Sequence, residues 1–94
     1  MNDPTTNKVA AFLAAYWRRH PAACDTPEGM QRWWLYGRLE VAIAEVEEAL
    51  RWMIEKGLVE QRRTGVHCIY RLRLGADPRD LQALAESAIP GSHP

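Results

Sequence analysis

One stretch, Leu39–Gly57, constrains the fold of this 94-residue chain more than any other. It reads LEVAIAEVEEALRWMIEKG and has no proline and no internal glycine. Its apolar side chains recur with the period of an α-helix and fall in one sector: Ile43, Val46, Leu50, Met53 and Ile54. Gly57 is a favourable residue for ending such a helix. The stretch therefore predicts the longest helix of the domain, with one face in the core and an opposite face whose role has to be explained.

A β-hairpin is predicted directly after this helix. Leu58–Arg63 and Val66–Leu74 are the two strands, and Thr64-Gly65 is the turn between them. Alternate residues of the second strand are expected to point to opposite faces, with Val66, Cys68, Tyr70, Leu72 and Leu74 on one side and His67, Ile69, Arg71 and Arg73 on the other. The hairpin is expected to have one apolar and one polar face.

Two helices are predicted before the long one. The first has an apolar stripe of Val9, Phe12, Leu13 and Tyr16, a cap at Thr5, Thr6 or Asn7, and a stop at Pro21. His20–Thr26 is expected to be a loop. The second helix, roughly Pro27–Leu35, is capped by Asp25 or Thr26. Its predicted apolar side is Met30, Trp33 and Trp34, and Gly37 is its left-handed stop.

A short closing helix is predicted after Asp77-Pro78, again a cap followed by proline at the first helical position. Its apolar side chains are Leu81, Leu84, Ala85 and Ala88. Residues 7–89 are therefore expected to form a single domain, with flexible tails at 1–6 and 90–94. A chain of 94 residues has room for only one small core.

Composition limits the remaining classes. Twelve basic residues balance twelve acidic ones, so net charge does not indicate a polyanion partner. Two cysteines, Cys24 and Cys68, are too few for a disulfide framework. A signal peptide is not expected, because no N-terminal apolar run follows a basic segment, and no apolar run approaches the about 20 residues of a membrane span. These features predict a cytoplasmic protein without a membrane partner.

The order of elements and one segment resemble the winged helix-turn-helix superfamily. Members of the superfamily often show an apolar residue, Ala-Leu, another apolar residue and then Gly-Leu-Val leading into the wing. Here Val46, Ala49-Leu50, Met53 and Gly57-Leu58-Val59 stand at those places. The resemblance implies a mainly α, α+β fold with three helices, a two-stranded wing and an extra C-terminal helix. The same fold serves DNA readers and protein-docking modules.

The outer face of the long helix gives the first functional hypothesis. In DNA-binding members, the resemblance implies, the third helix enters the major groove and the wing contacts phosphates. The outward residues here include three carboxylates and one arginine: Glu45, Glu48, Glu55 and Arg51. Carboxylates oppose a duplex, whose binding depends on phosphate neutralisation. A solvated face, a protein partner and groove binding all stay open, and the charge favours a protein over DNA.

Three tryptophans are candidate anchors for a partner. Trp52 lies about 200° from Leu50 on the helical wheel and would stand within the acidic face, unless the first or the last helix covers it. Trp33 and Trp34 are adjacent and cannot share one narrow face, so one is expected in the core and the other partly exposed. Large aromatic side chains of this kind are typical interface anchors.

The wing is the best candidate for nucleic-acid contact. It concentrates cationic side chains in one hairpin: Arg62, Arg63, His67, Arg71 and Arg73. They are suited to phosphates, to the acidic helix of a second copy, or to solvent.

Catalytic, metal and cofactor sites are not expected. His20, Cys24, His67 and Cys68 do not follow a zinc spacing, and neighbouring residues on a strand point apart. No phosphate loop, dinucleotide turn or nucleophile elbow is present. The sequence thus predicts a non-enzymatic module that binds an unknown protein or a second copy of itself, with a DNA-binding regulator as the alternative.

Overall fold

A computed structural model describes residues 4–87 of the chain. The fold is α+β and mainly helical, with a small antiparallel sheet. Helix α1 (Pro4–Arg19) is followed by strand β1 (Cys24–Asp25) and helix α2 (Pro27–Gly29), which passes into a π-helical turn (Met30–Trp34). Then come α3 (Ile43–Glu55), β2 (Val59–Thr64), β3 (His67–Leu72) and α4 (Pro78–Glu86).

Helix α1 lies at the centre of the packing, against both α3 and α4. Val9, Leu13 and Trp17 are completely buried on its inner side. The predicted stripe is therefore shifted, because Phe12 and Tyr16 are only partly buried. The helix also begins at Pro4, which places the expected capping residues, Thr5 to Asn7, inside it.

The second helical segment starts as predicted and then changes its period. Thr26 caps it by accepting a hydrogen bond from the Gly29 N–H (3.1 Å), and Pro27 is the first helical residue. The Leu35 N–H then donates to the Met30 carbonyl (3.0 Å), five residues back, which closes a π turn. In this wider turn residues four and five positions apart share a face. Met30, Trp34 and Leu35 are buried, and the prediction of Trp33 in the apolar stripe is wrong.

The predicted hairpin is present as β2 and β3, but the sheet has a third strand that was not predicted, and the strand order is β1–β3–β2. Strand β1 lies in the expected loop His20–Thr26 and pairs with β3 through Cys24 opposite Arg71. A two-residue strand has no alternation to detect, and only the neighbouring β3 makes it a strand. The β2–β3 hairpin pairs Val59 with Leu72 and Thr64 with His67.

Helices α3 and α4 complete the core. Helix α3 buries Val46, Ala49, Leu50 and Met53, and Gly57 follows with a positive φ of 79°, which confirms the predicted stop. Helix α4 is capped by Asp77, as predicted, and buries Leu81 and Ala85 against α1. The described residues exclude 1–3 and 88–94. The predicted positions of Ala88, of residue 89 and of most of the two expected tails therefore lie outside them.

Candidate functional site

The outer face of α3 uses most of its charged groups within the domain. The Glu45 carboxylate accepts a hydrogen bond from the Ala42 N–H (2.8 Å) at the start of the helix. This contact satisfies a backbone donor that the helix itself leaves unpaired. Glu48 forms an ion pair with Arg51, three residues further along the helix. Of the three carboxylates expected to meet a partner, only Glu55 makes neither contact within residues 4–87.

Trp52 is a partly covered side chain and does not stand in open solvent. It packs against the hydrophobic core, and the Lys56 ammonium lies 5.5 Å from its ring centroid. A cleft of about 280 Å³ separates it from Ala83 and Leu84 of α4. Trp52 is therefore half-buried against the core and borders a cleft beside α4, so it is not a fully exposed anchor.

Trp33 and Trp34 have opposite environments. Trp34 is 5% exposed, stacks on Tyr16 with ring centroids 4.2 Å apart, and meets Trp17 edge-on at 4.9 Å. The Trp17 indole N–H in turn donates to the Ala23 carbonyl (2.9 Å). Trp34 is thus a core residue and is not available to a partner. Trp33 is 69% exposed, as expected for one member of an adjacent pair.

Tyr36 is a functional candidate that the sequence predictions omitted. Its side chain is 80% exposed, in the connection between the π turn and α3. The sequence offered one indication of this exposure, because Tyr36 immediately precedes Gly37. The positive φ of Gly37, 72°, ends the helical segment and turns the chain. Trp33 and Tyr36 stand three residues apart, so their Cα atoms are separated by at most about 11 Å. We refer to these two side chains as the aromatic patch.

A cleft of about 850 Å³ adjoins the aromatic patch at Tyr36. Its apolar lining includes Leu39 and Val41, which also pack against the core. The Gln31 side-chain amide donates to the Val41 carbonyl (2.7 Å) and ties this connection to the π turn. Tyr36 therefore lies beside a partly apolar cleft, held in place by this hydrogen bond, which a side chain of another molecule could enter.

The pleat of the sheet divides the cations of the β2–β3 hairpin, which was predicted to be the wing. Paired residues share a face, and successive pairs alternate between faces. Val59 and Leu72 face the core, which places Arg63 with Cys68 on that same side and Arg62 with Ile69 on the solvent side. His67 and Arg71 share the solvent side, where Arg71 forms an ion pair with Glu60. Arg73 follows the strand and lies beside Gly57.

These positions do not form the single basic cluster that the sequence predicted. Among residues 4–87, Arg62, Arg63 and Arg73 make no ion pair, whereas Arg51 and Arg71 are neutralised by glutamates. The cations available to phosphates are therefore fewer than the sequence count and stand on two faces of the wing. This arrangement weakens the case for a duplex.

Tyr70 connects the sheet to α3. Burial raises the pKa of its phenol, and the nearby charge of Glu47 acts in the same direction, while Arg51 opposes it. A raised pKa means that the folded protein holds this proton more tightly than the unfolded chain does. Folding stability therefore contains a contribution that is complete below the ordinary tyrosine pKa of about 10 and is lost as pH rises through the folded-state pKa.

We expect Tyr70→Phe to remove this alkaline contribution. In urea denaturation between neutral pH and about pH 11, stability of the wild-type protein should fall more steeply above the ordinary tyrosine pKa than stability of the variant. Ultraviolet absorbance of tyrosinate, followed in parallel, should show that the variant loses one titration above the ordinary tyrosine pKa. Parallel stability curves for the two proteins would contradict the placement of Tyr70 against α3.

Comparisons with known proteins give no family assignment: no protein-family model, curated protein or solved structure matches this chain. Within the described residues, no group of three or more His, Cys, Asp or Glu side chains is arranged to hold a metal ion. None of the helices between residues 4 and 87 is both long and apolar enough to cross a bilayer.

Proposed function

We propose that this domain is a non-enzymatic winged helix-turn-helix module that docks a protein partner through the aromatic patch of Trp33 and Tyr36. The observation that carries the proposal is the exposure of these two rings, 69% for Trp33 and 80% for Tyr36, together with the partly apolar cleft that Tyr36 lines. Exposed aromatic side chains gain large contact area at little cost in side-chain entropy when a partner covers them. Aromatic anchors next to a depression are the usual centre of a protein interface.

The capping and core residues of the second helical segment have structural roles in the fold, whereas the two residues of the aromatic patch do not. Thr26 and Pro27 start the helix, and Met30, Trp34 and Leu35 fill the core. Folding requires neither an indole at position 33 nor a phenol at position 36, because both lie largely in solvent. Their apolar surface is therefore best explained by something that binds it.

The charge on α3 supports a protein partner over a duplex. Its outer face presents Glu55 and the Glu48–Arg51 pair, and Glu45 holds the helix start. A recognition helix on DNA has to bring uncompensated cations close to phosphates. The partner is either a different protein or a second copy of this chain, and light scattering of the purified protein separates these two forms of the proposal.

The double variant Trp33→Ala/Tyr36→Ala tests the docking surface. We expect it to fold normally, since both side chains are exposed, and to weaken partner binding by at least about tenfold. Affinity capture from lysate of the cells that encode the chain identifies the partner, and calorimetry with the purified partner measures the loss. Val66→Ala is the matched control, because Val66 is 93% exposed on the wing tip, outside the patch. If the double variant and Val66→Ala bind the partner equally well, the aromatic patch is not part of the interface.

DNA binding remains the second candidate, because Arg62 and Arg63 reach the wing tip without an ion pair among residues 4–87. Titration with random duplex DNA at low salt tests it directly. Binding that weakens steeply with salt and is lost in Arg62→Gln/Arg63→Gln would favour this reading over protein docking. The double aromatic variant should leave such binding unchanged.

A further inference from the structure

The outer edge of strand β2 carries backbone groups that the sheet does not use. Strand β2 lies at one end of the order β1–β3–β2, so only one of its two edges is paired. The Arg73 N–H donates to the Leu58 carbonyl (2.9 Å), which shows that Leu58 faces β3. Because residues of an antiparallel strand alternate in direction, every second residue from Leu58 bonds to β3 and those between them point away. Gln61 and Arg63 therefore direct their N–H and C=O groups outward.

The accessible part of this edge covers residues 61–64, which are all exposed. Val59, at the start of the strand, is 2% exposed, so the fold covers the edge there. Outside the helices and the sheet, no backbone hydrogen bond among residues 4–87 involves Gln61 or Arg63. Their N–H and C=O groups thus remain for a strand from another molecule, which is how an extended peptide adds to the edge of a sheet.

Two arginines make this edge positive. Arg62 and Arg63 are exposed, and neither forms an ion pair with any residue from 4 to 87. Glu60, the acidic residue of the same strand, is engaged by Arg71. Neighbouring residues of a strand point to opposite faces, so an added strand places one residue opposite each arginine, with Cβ atoms about 4.5–5.5 Å apart. Two consecutive acidic residues on that strand meet both cations.

We propose that the outer edge of β2 binds an extended acidic segment of a protein partner, which becomes the fourth strand of the sheet. Its backbone pairs with Gln61 and Arg63, and its carboxylates pair with Arg62 and Arg63. Phosphates of a nucleic acid would match the arginines, but they donate no hydrogen bond to the outward carbonyls of the edge. An acidic strand satisfies both the charges and the backbone. The surface involves neither Trp33 nor Tyr36, so it stands or fails independently of docking at the aromatic patch.

Titration of the isotope-labelled full chain with the peptide acetyl-Thr-Val-Glu-Glu-Val-Thr-amide, followed by amide NMR shifts, tests the proposal. The β-branched residues of this probe favour an extended conformation. We expect saturable shifts centred on residues 61–64, with a dissociation constant on the order of 1–10 mM. The matched peptide with glutamine in place of both glutamates should bind about five- to tenfold more weakly.

The variant Gln61→Pro separates the backbone of the edge from its side chains. Proline lacks the N–H but is tolerated on an edge strand where that N–H points to solvent, so circular dichroism should show an unchanged fold. We expect affinity for the acidic peptide to fall by about tenfold, whereas Gln61→Ala, the matched control, should change it by less than about twofold. In Arg62→Gln/Arg63→Gln the acidic peptide and the glutamine peptide should bind equally.

Equal binding of the two peptides by the wild-type protein, unchanged affinity in Gln61→Pro, or shifts centred away from the β2 edge would each overturn the assignment. It also fails if random duplex DNA binds through Arg62 and Arg63 while the acidic peptide does not bind. The variant Trp33→Ala/Tyr36→Ala should bind the acidic peptide as the wild-type protein does. Loss of partner binding in that variant therefore reports on the aromatic patch alone.

Discussion

Replacing Trp34 by alanine is expected to lower the free energy of unfolding by about 3–5 kcal/mol. The side chain is 5% exposed and contacts Tyr16 and Trp17, so its removal leaves a large cavity at the centre of the aromatic cluster. A domain of 94 residues has a total stability of about 5–14 kcal/mol. The variant should therefore lose a large fraction of the stability of the domain.

Trp33→Ala is the matched control, because it makes the same substitution one residue earlier. Trp33 is 69% exposed, so its loss should change stability by less than about 0.5 kcal/mol. Urea denaturation followed by circular dichroism compares the two variants without relying on tryptophan fluorescence. Similar destabilisation by both would contradict the burial of Trp34 and the exposure of Trp33.

Gly29→Ala is expected to destabilise the domain by about 2 kcal/mol, although alanine normally stabilises a helix. The backbone at Gly29 is helical (φ −65°, ψ −39°), so conformation alone would favour alanine. A Cβ at this position would, however, overlap the carboxylate of Asp25. That carboxylate would have to move and give up the hydrogen bond that it accepts from the Thr26 N–H (2.7 Å).

The effect should reverse its sign when Asp25 is removed. In the Asp25→Ala background, Gly29→Ala should stabilise the domain by about 0.5–1 kcal/mol, which is the ordinary helix preference of alanine over glycine. A double-mutant cycle from urea denaturation measures the coupling between the two positions. Stabilisation by Gly29→Ala in the wild-type background would show that the carboxylate does not lie over the glycine.

Local chemistry and periodicity determined much of the fold. The core face of α3 follows from apolar residues at the helical period, and its end follows from Gly57. The Thr26 and Asp77 caps were predictable because each side chain acts on its own backbone, within three residues. The β2–β3 pairing follows from two strands with a tight turn between them. Each of these features depends on neighbours in sequence.

The structure decided the features that depend on distant parts of the chain. Strand β1 exists only because β3 offers a free edge to Cys24 and Asp25. The sequence predicted one of Trp33 and Trp34 in the core without deciding which, and the fold buries Trp34 against α1 and leaves Trp33 exposed.

The same limit applied to the candidate surfaces. Arg51 forms an ion pair with Glu48, and Arg71 forms one with Glu60. The composition of the chain does not predict these two ion pairs. Sequence alone determined the approximate positions of the helices and of the β2–β3 hairpin, because those preferences are local. Tertiary structure decided which aromatic and charged side chains remain available, because availability depends on what packs against them.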